Sequence, residues 1–269
     1  MKRLLSKLTA VSALCLGLFL ALTLSTANAA DDLELIEPGV LSTATEGAFA
    51  PFSMRTADGK LEGFELAVIG EVAKRLGLEH KPVVIKWDSI LVGLMSDQYD
   101  MISNPMGITE ERQKSVTFCD AWVESGAKLI VPDDSAIKSL ADAKGKKIGV
   151  IVASTFVPMA ENLGGEVKLY KSDAEAMQDV ANGRIDAAIT DAVSGGYAIK
   201  IAGLELRLVD EFIESYQMGW PVKQGKPNLV KAINKTLAEM IEDGTYAALG
   251  QDILGMDPTP AEPIRSILD

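Results

Sequence analysis

The chain has 269 residues, with 26 Lys+Arg against 38 Asp+Glu and a net charge of −12. So acidic a surface argues against nucleic acid or an anionic membrane as partner. One histidine (His80) and two cysteines (Cys15, Cys119) leave no cluster for a zinc site, and no cofactor is expected.

Lys2, Arg3 and Lys7 precede the apolar run 14–24, and Ala27-Asn28-Ala29 supplies small residues ahead of a cut. This pattern predicts a secretory signal over residues 1–29, cleaved after Ala29, and a periplasmic protein. The run is short for a membrane span. Cys15 leaves with the signal, so Cys119 remains as a lone, small buried thiol and no internal disulfide can form. About 240 residues are left, enough for two modest lobes.

Strands and helices then alternate. Residues 39–44 read as a strand, followed by the loop Thr45-Glu46-Gly47-Ala48-Phe49-Ala50-Pro51-Phe52. Asp58-Gly59 marks a turn between two extended pieces. Leu66, Ile69, Ala73 and Leu76 recur at helical spacing, and Gly77 ends that helix. Residues 83–86 read as a strand, with His80 in the polar turn before it. Asp88, after Trp87, is placed to cap a helix carrying Ile90, Leu91, Leu94 and Met95. Residues 99–102 return as a strand, 103–108 as an irregular loop, and Thr109 caps a helix with Arg112 in its first turn. Helix N-termini favour acids, so Arg112 is either paired with Glu110 or Glu111 or held there for an anion. This β-α-β-α-β run predicts a largely parallel sheet with helices on both faces.

A second run of the same type follows. Residues 128–131 and 147–152 read as strands, with a capping box at Ser139-Leu140-Ala141-Asp142 between them. Ala153-Ser154-Thr155 leads into a helix over 156–163, where Pro158 is tolerable in the first turn. Ser172-Asp173-Ala174-Glu175 boxes a helix that closes at Asn182-Gly183. Residues 185–189 form a strand delivering Thr190-Asp191. After Leu206, Leu208 and Val209 the chain runs through 216–223 into amphipathic helices over 228–242 and 245–254, joined at Asp243-Gly244. An irregular tail spans 258–263.

In open α/β sheets, ligands sit beyond the carboxyl ends of the strands. Five segments qualify: 46–52, Trp87, 104–112, Ser154-Thr155 and Asp191. Arg112 offers a planar fork for a carboxylate. Ser154 and Thr155 at a helix start offer hydroxyls and free amides. Asp191 either caps a helix over 192–200 or opposes an ammonium. Phe49 and Trp87 offer flat apolar faces or ordinary core. Together these groups suit a small zwitterion.

The motifs EGAFAPF, DGKLEGFE, KWDSI, YDMI, GITEER, SLADAKGKKIGV, NGRIDAAITD and NKTLAEMIEDGTYAAL, in this order, resemble the family 3 solute-binding proteins of ABC transporters for polar amino acids. The resemblance spans essentially the whole mature region. It implies the type II periplasmic-binding-protein fold: two α/β lobes, each a mostly parallel sheet flanked by helices, joined by a two-stranded hinge and closing on ligand. Lobe one would comprise 30–125 and 222–269, lobe two 126–221, with crossings near 124–128 and 216–223. By position, Arg112 matches the clamp on a ligand carboxylate, aided by Ser154 or Thr155. Asp191 matches the carboxylate that binds the amine, with a main-chain carbonyl near Asn104 or Pro105. Phe49 and Trp87 match the walls, and Glu46 a side-chain contact. The implied partners are an amino acid or similar small molecule and an ABC transporter membrane permease, the protein itself acting as a monomer.

Three departures from the family pattern stand out. Gly107 replaces a usual Thr or Ser, Asn104-Pro105 a commonly small, flexible pair, and Ala153 a frequent Gly. They put in doubt whether the ligand is a standard α-amino acid. Two alternatives stay open. One is an exported prephenate or arogenate dehydratase using Glu46 or Asp191 as acid. The other is a ligand-binding subunit for a separate sensory receptor.

Overall fold

The computed structural model describes residues 33–268; the signal expected over 1–29 lies outside the described residues. Its first sheet has the strand order β4-β1-β5-β14-β7. β1 (Val40–Thr45) runs parallel to β4 (Glu79–Val84) and to β5 (Met101–Ile102). β14 (Pro221–Lys223) returns antiparallel between β5 and β7 (Val116–Phe118). A hairpin of β2 (Met54–Arg55) and β3 (Leu61–Glu62) closes around Asp58-Gly59, as the turn signal predicts.

α1 (Phe64–Arg75) packs against this sheet through Phe64, Val68, Ile69, Val72 and Ala73, all at 0 % exposure. The buried stripe is turned from the one expected, leaving Leu66 and Leu76 half-buried. Each large apolar side chain so buried contributes about 1.5–3 kcal/mol. The strand expected at 83–86 instead begins at Glu79, so His80 lies within β4 and its Nε2 sits 2.9 Å from Thr43 Oγ1. As the sheet's edge, β4 tolerates Pro82 and exposed Glu79 and Lys81, which gave that stretch the look of a turn. α2 (Trp87–Met95) starts one residue before Asp88, with Lys86 at the cap position and no side-chain cap.

The second sheet has the order β10-β9-β11-β8-β13-β6. β9 (Lys147–Ile151) is parallel to β10 (Glu166–Tyr170) and β11 (Ala187–Asp191). β10 is an additional strand not expected from the sequence pattern, and β11 lies two residues later than the strand expected at 185–189. β8 (Val123–Pro132) pairs antiparallel with β11, with β12 (Leu206–Leu208) and with β13 (Glu214–Gly219). The β8–β13 pair is the double crossing between the sheets. β6 (Met106–Gly107), expected to be irregular, pairs with Met218 and Gly219. Helices α4 (Phe156–Asn162), α5 (Asp173–Ala181) and α6 (Ala192–Lys200) flank this sheet, Ser172 accepting the Glu175 amide at the start of α5. The capping box at Ser139 and Asp142 opens a 3-10 turn, Leu140–Ala143.

Two cores result. One gathers Leu41, Phe64, Trp122 and Trp220 with Leu229, Ile233, Leu237 and Tyr246. Those last four belong to α7 (Pro227–Glu242) and α8 (Thr245–Ile253), so the C-terminal helices return to the first sheet. The other gathers Ala127, Leu129, Ile148, Val150, Phe156 and Ile189. Cys119 is a buried free thiol of the first core, which burial and the nearby charge of Asp120 push well above the ordinary range.

Candidate functional site

Between the two sheets lies a cleft lined by Glu46, Phe49, Trp87, Asn104, Pro105, Gly107 and Arg112 on one side. Ile151, Ser154, Thr155 and Phe156 line the other, with Tyr216 and Met218 from β13 at its floor. Every residue expected at the site is therefore brought together here except Asp191.

Arg112 belongs to the short helix α3 (Glu110–Gln113), whose cap Thr109 accepts the Arg112 amide at 3.2 Å. Its guanidinium lies over the Trp87 ring, 5.6 Å from the centroid, and Nη1 donates to the Gly107 carbonyl at 2.9 Å. Burial lowers the guanidinium to about 10. Of the two acids beside it in sequence, Glu111 pairs with Lys114 instead, and no ion pair to Arg112 occurs among the described residues. A half-desolvated cation with most of its donors free is the feature an anion would complete.

The loop after β1 is shaped by Asn104, which is 1 % exposed and whose Oδ1 accepts the Glu46 amide at 2.9 Å. Phe49 exchanges both backbone bonds with Ser53 (2.8 and 2.9 Å) and stacks on Phe52 at 5.2 Å, fixing its ring at the wall. Burial first, then the charges of Asp173, Glu175 and Asp88, raises the Glu46 carboxyl to about 7. The cleft lining thus carries one cation, Arg112, and one acid, Glu46.

On the opposite wall, Ser154 Oγ donates to the Ile151 carbonyl at 2.6 Å and accepts the Phe156 amide at 3.2 Å. Thr155 takes the cap position of α4 without capping any amide. Ala153, just before them, holds φ at 59°, a left-handed backbone that glycine adopts more readily.

Asp191 is fully buried, and its Oδ1 accepts the Val193 and Ser194 amides at 2.9 and 3.4 Å, so it does cap α6. Its Oδ2 accepts the Tyr216 hydroxyl at 2.8 Å. Tyr216 and Met218 are not among the residues expected from sequence, which places a hinge crossing at 216–223 but no ligand contact on it; Tyr216, the one tyrosine of that segment, is the available signal. Ile151 and Phe156 flank the expected Ser154-Thr155 and read as ordinary core.

Two α/β lobes linked by a pair of crossing strands, with a cleft between them, make up the two-lobed periplasmic-binding-protein architecture. The profile of the bacterial extracellular solute-binding proteins, family 3, matches residues 41–256. The chain is 34% identical to the L-cystine-binding protein TcyJ of Escherichia coli (strain K12) over 83% of its own length and 85% of that protein. It is 30% identical to the histidine-binding periplasmic protein of Salmonella typhimurium, covering 91% of this chain and 97% of the relative. Among solved structures, an ancestral arginine-binding protein bound to arginine superposes with a TM-score of 0.75 at 36% identity, over 81% of this chain and 99% of that one. The chain belongs to the bacterial extracellular solute-binding proteins, family 3.

Proposed function

We propose that this chain captures a small zwitterion, an amino acid or a derivative of one, by closing its lobes around it, and delivers it to the membrane permease of an ABC importer. The observation that carries the proposal is Arg112, desolvated at the cleft wall, stacked on Trp87 and without a carboxylate partner among the described residues. A ligand carboxylate supplies the missing counter-charge and can engage the fork through two oxygens. Ser154 and Thr155 would meet the same carboxylate from the other side. Phe49 and Trp87 would cover the ligand's apolar part, and Asn104, Pro105 and Gly107 its main-chain side. Asp191 supplies negative charge for the ammonium, and Glu46 a contact for the ligand's side chain. The relatives named above bind cystine, histidine and arginine, which supports an α-amino acid here.

The lobes in this reading are residues 30–125 with 222–269, and 126–221, a division supported by strand membership in the two sheets except for β6 (Met106–Gly107), which joins the second sheet by pairing with β13. Ligand contacts to both lobes stabilise the closed state by differential affinity. Residues 1–29 direct export to the periplasm, where the protein acts as a single chain.

Calorimetry of the parent and Arg112→Ala against the common L-amino acids and L-cystine tests this reading. The variant should bind the preferred amino acid about 10- to 100-fold more weakly, the worth of a charge-assisted hydrogen bond. Equal affinity in both proteins would overturn it.

One observation favours a second reading. Glu46, raised to about 7, is poised as a general acid for dehydration of prephenate or arogenate in the same cleft. Incubation with prephenate, followed by phenylpyruvate absorbance, decides: turnover makes the protein an enzyme, and none removes this reading.

A further inference from the structure

The loop after β1 divides two cavities. Glu46 and Phe49 line the cleft, whereas Ala48 and Ala50 line a second cavity that shares no lining residue with it. Met54 of β2 continues that wall. The remaining wall comes from α5, through Asp173 and Met177, and from α6, through Ser194 and Tyr197. The two walls touch where the Tyr197 hydroxyl donates to Met54 Sδ at 3.4 Å.

Asp173 is the residue that sets this cavity apart. It is 1 % exposed, and its Oδ2 accepts the Thr190 and Ser194 hydroxyls at 2.8 and 3.0 Å. Its Oδ1 has no hydrogen-bond partner among the described residues. Burial, offset in part by those two hydroxyls, raises the carboxyl to about 6, so at neutral pH the group is ionised. No Lys or Arg pairs with it among the described residues, and Asp191 and Glu46, whose charges couple to it, are acids too. A buried charge without a partner is costly, and a cation in the cavity removes that cost.

The rest of the lining decides which cation fits. A divalent metal needs several oxygen ligands, and no group of three or more His, Cys, Asp or Glu that could hold a metal occurs among the described residues. An ammonium brings N–H donors, one of which satisfies Oδ1. The Met54 and Met177 thioethers and the Tyr197 ring offer polarizable walls to the alkyl groups it carries. We infer that this cavity is a second binding site, taking a small alkylammonium ion on Asp173. Its occupant touches the β1 loop and β2 on one side and α5 and α6 on the other, so it favours lobe closure and tightens the cleft for its own ligand. The site stands apart from the zwitterion reading of the cleft; only this coupling rests on it.

The probe is butylammonium chloride, with butan-1-ol as a neutral molecule of similar shape and potassium chloride to match ionic strength. Binding is followed by ligand-observed NMR, since a ligand this small binds in the range of about 1 mM. The parent should hold butylammonium about tenfold or more tightly than butan-1-ol, as a hydrogen bond to a charged group implies. Asp173→Asn, which keeps an acceptor for Thr190 and Ser194, should lose that margin. Ala48→Leu, which fills the cavity from the loop, should lose it too and serves alone if Asp173→Asn does not fold. Equal binding of the two probes by the parent overturns the inference, and so does a margin that survives both substitutions. Arg112→Ala should keep the margin; losing it would put the amine in the cleft and overturn the second site. With butylammonium saturating, the parent should bind its preferred amino acid about fivefold or more tightly. Unchanged affinity would overturn the coupling, and a panel in which no amino acid binds would overturn the zwitterion reading while the Asp173 result still stands.

Discussion

Gln217 on the second crossing strand grips the C-terminal tail at two points: its Oε1 accepts the Ile264 amide at 2.7 Å, and its Nε2 donates to the Glu262 carbonyl at 3.0 Å. The tail also accepts the amides of Ala121 (to Ile264, 2.8 Å) and Glu124 (to Pro258, 3.2 Å) at the start of the first crossing strand. A stretch that looks like an irregular terminus is thus a strap lying over both strands of the hinge. Gln217→Ala would remove both side-chain bonds, each worth about 1 kcal/mol net where water can replace it. The midpoint of urea unfolding should fall with the slope unchanged, for a loss of about 1–2 kcal/mol. A midpoint equal to the parent's would show that these two bonds contribute nothing to stability.

Buried acids give the stability a definite dependence on pH. Glu65, in the first turn of α1, is 0 % exposed, and its Oε2 has no partner among the described residues. Burial raises its carboxyl to about 8, and burial likewise raises Asp173 to about 6. Both values lie above those of the unfolded chain, so the folded state holds these protons more tightly. The resulting stability is complete below the unfolded carboxylate range, near about 4, and is lost as pH rises through about 6 and then about 8. Thermal midpoints should therefore be higher at about pH 5 than at about pH 8, each kcal/mol corresponding to about 2–4 °C in a chain of this size. Glu65→Gln should flatten the upper part of that slope. Midpoints that rise from pH 5 to pH 8 would contradict the assignment.

How much of this could be read beforehand follows from where the signal lies. Arg112, Trp87, Phe49 and Ser154 sit at strand ends and helix starts, where local grammar and the placement rule for open sheets coincide, and the structure gathers them in one cleft. β6 and the Tyr216 side of the site depend on long-range pairing, Gly107 with Met218 and Tyr216 with Ser125. Neither pairing leaves a periodic trace in its own segment. Asp191 shows the limit most clearly. Its two readings, helix cap and ligand contact, use the same residue at the same strand end, and only the position of Tyr216 distinguishes them. β4 was displaced for the opposite reason, since an edge strand with polar residues on its open side looks like a turn.

Gly107 offers the sharpest check on the ligand's position. Its backbone is not in the left-handed region, and a Cβ added there would meet only Arg112 Nη1, at 3.7 Å, an ordinary contact. Neither conformation nor space therefore requires glycine, and Gly107→Ser should fold with stability close to the parent's. The new hydroxyl would stand beside the guanidinium, on the side where Arg112 is proposed to hold the ligand carboxylate. One additional hydrogen bond of about 0.5–1.5 kcal/mol should tighten binding of the preferred amino acid about two- to tenfold, measured by calorimetry. Weaker binding by Gly107→Ser would place ligand atoms, rather than free space, against Gly107. The carboxylate would then have to approach Arg112 from its Trp87 side, and the glycine would be what admits a ligand larger at that end than an ordinary α-amino acid.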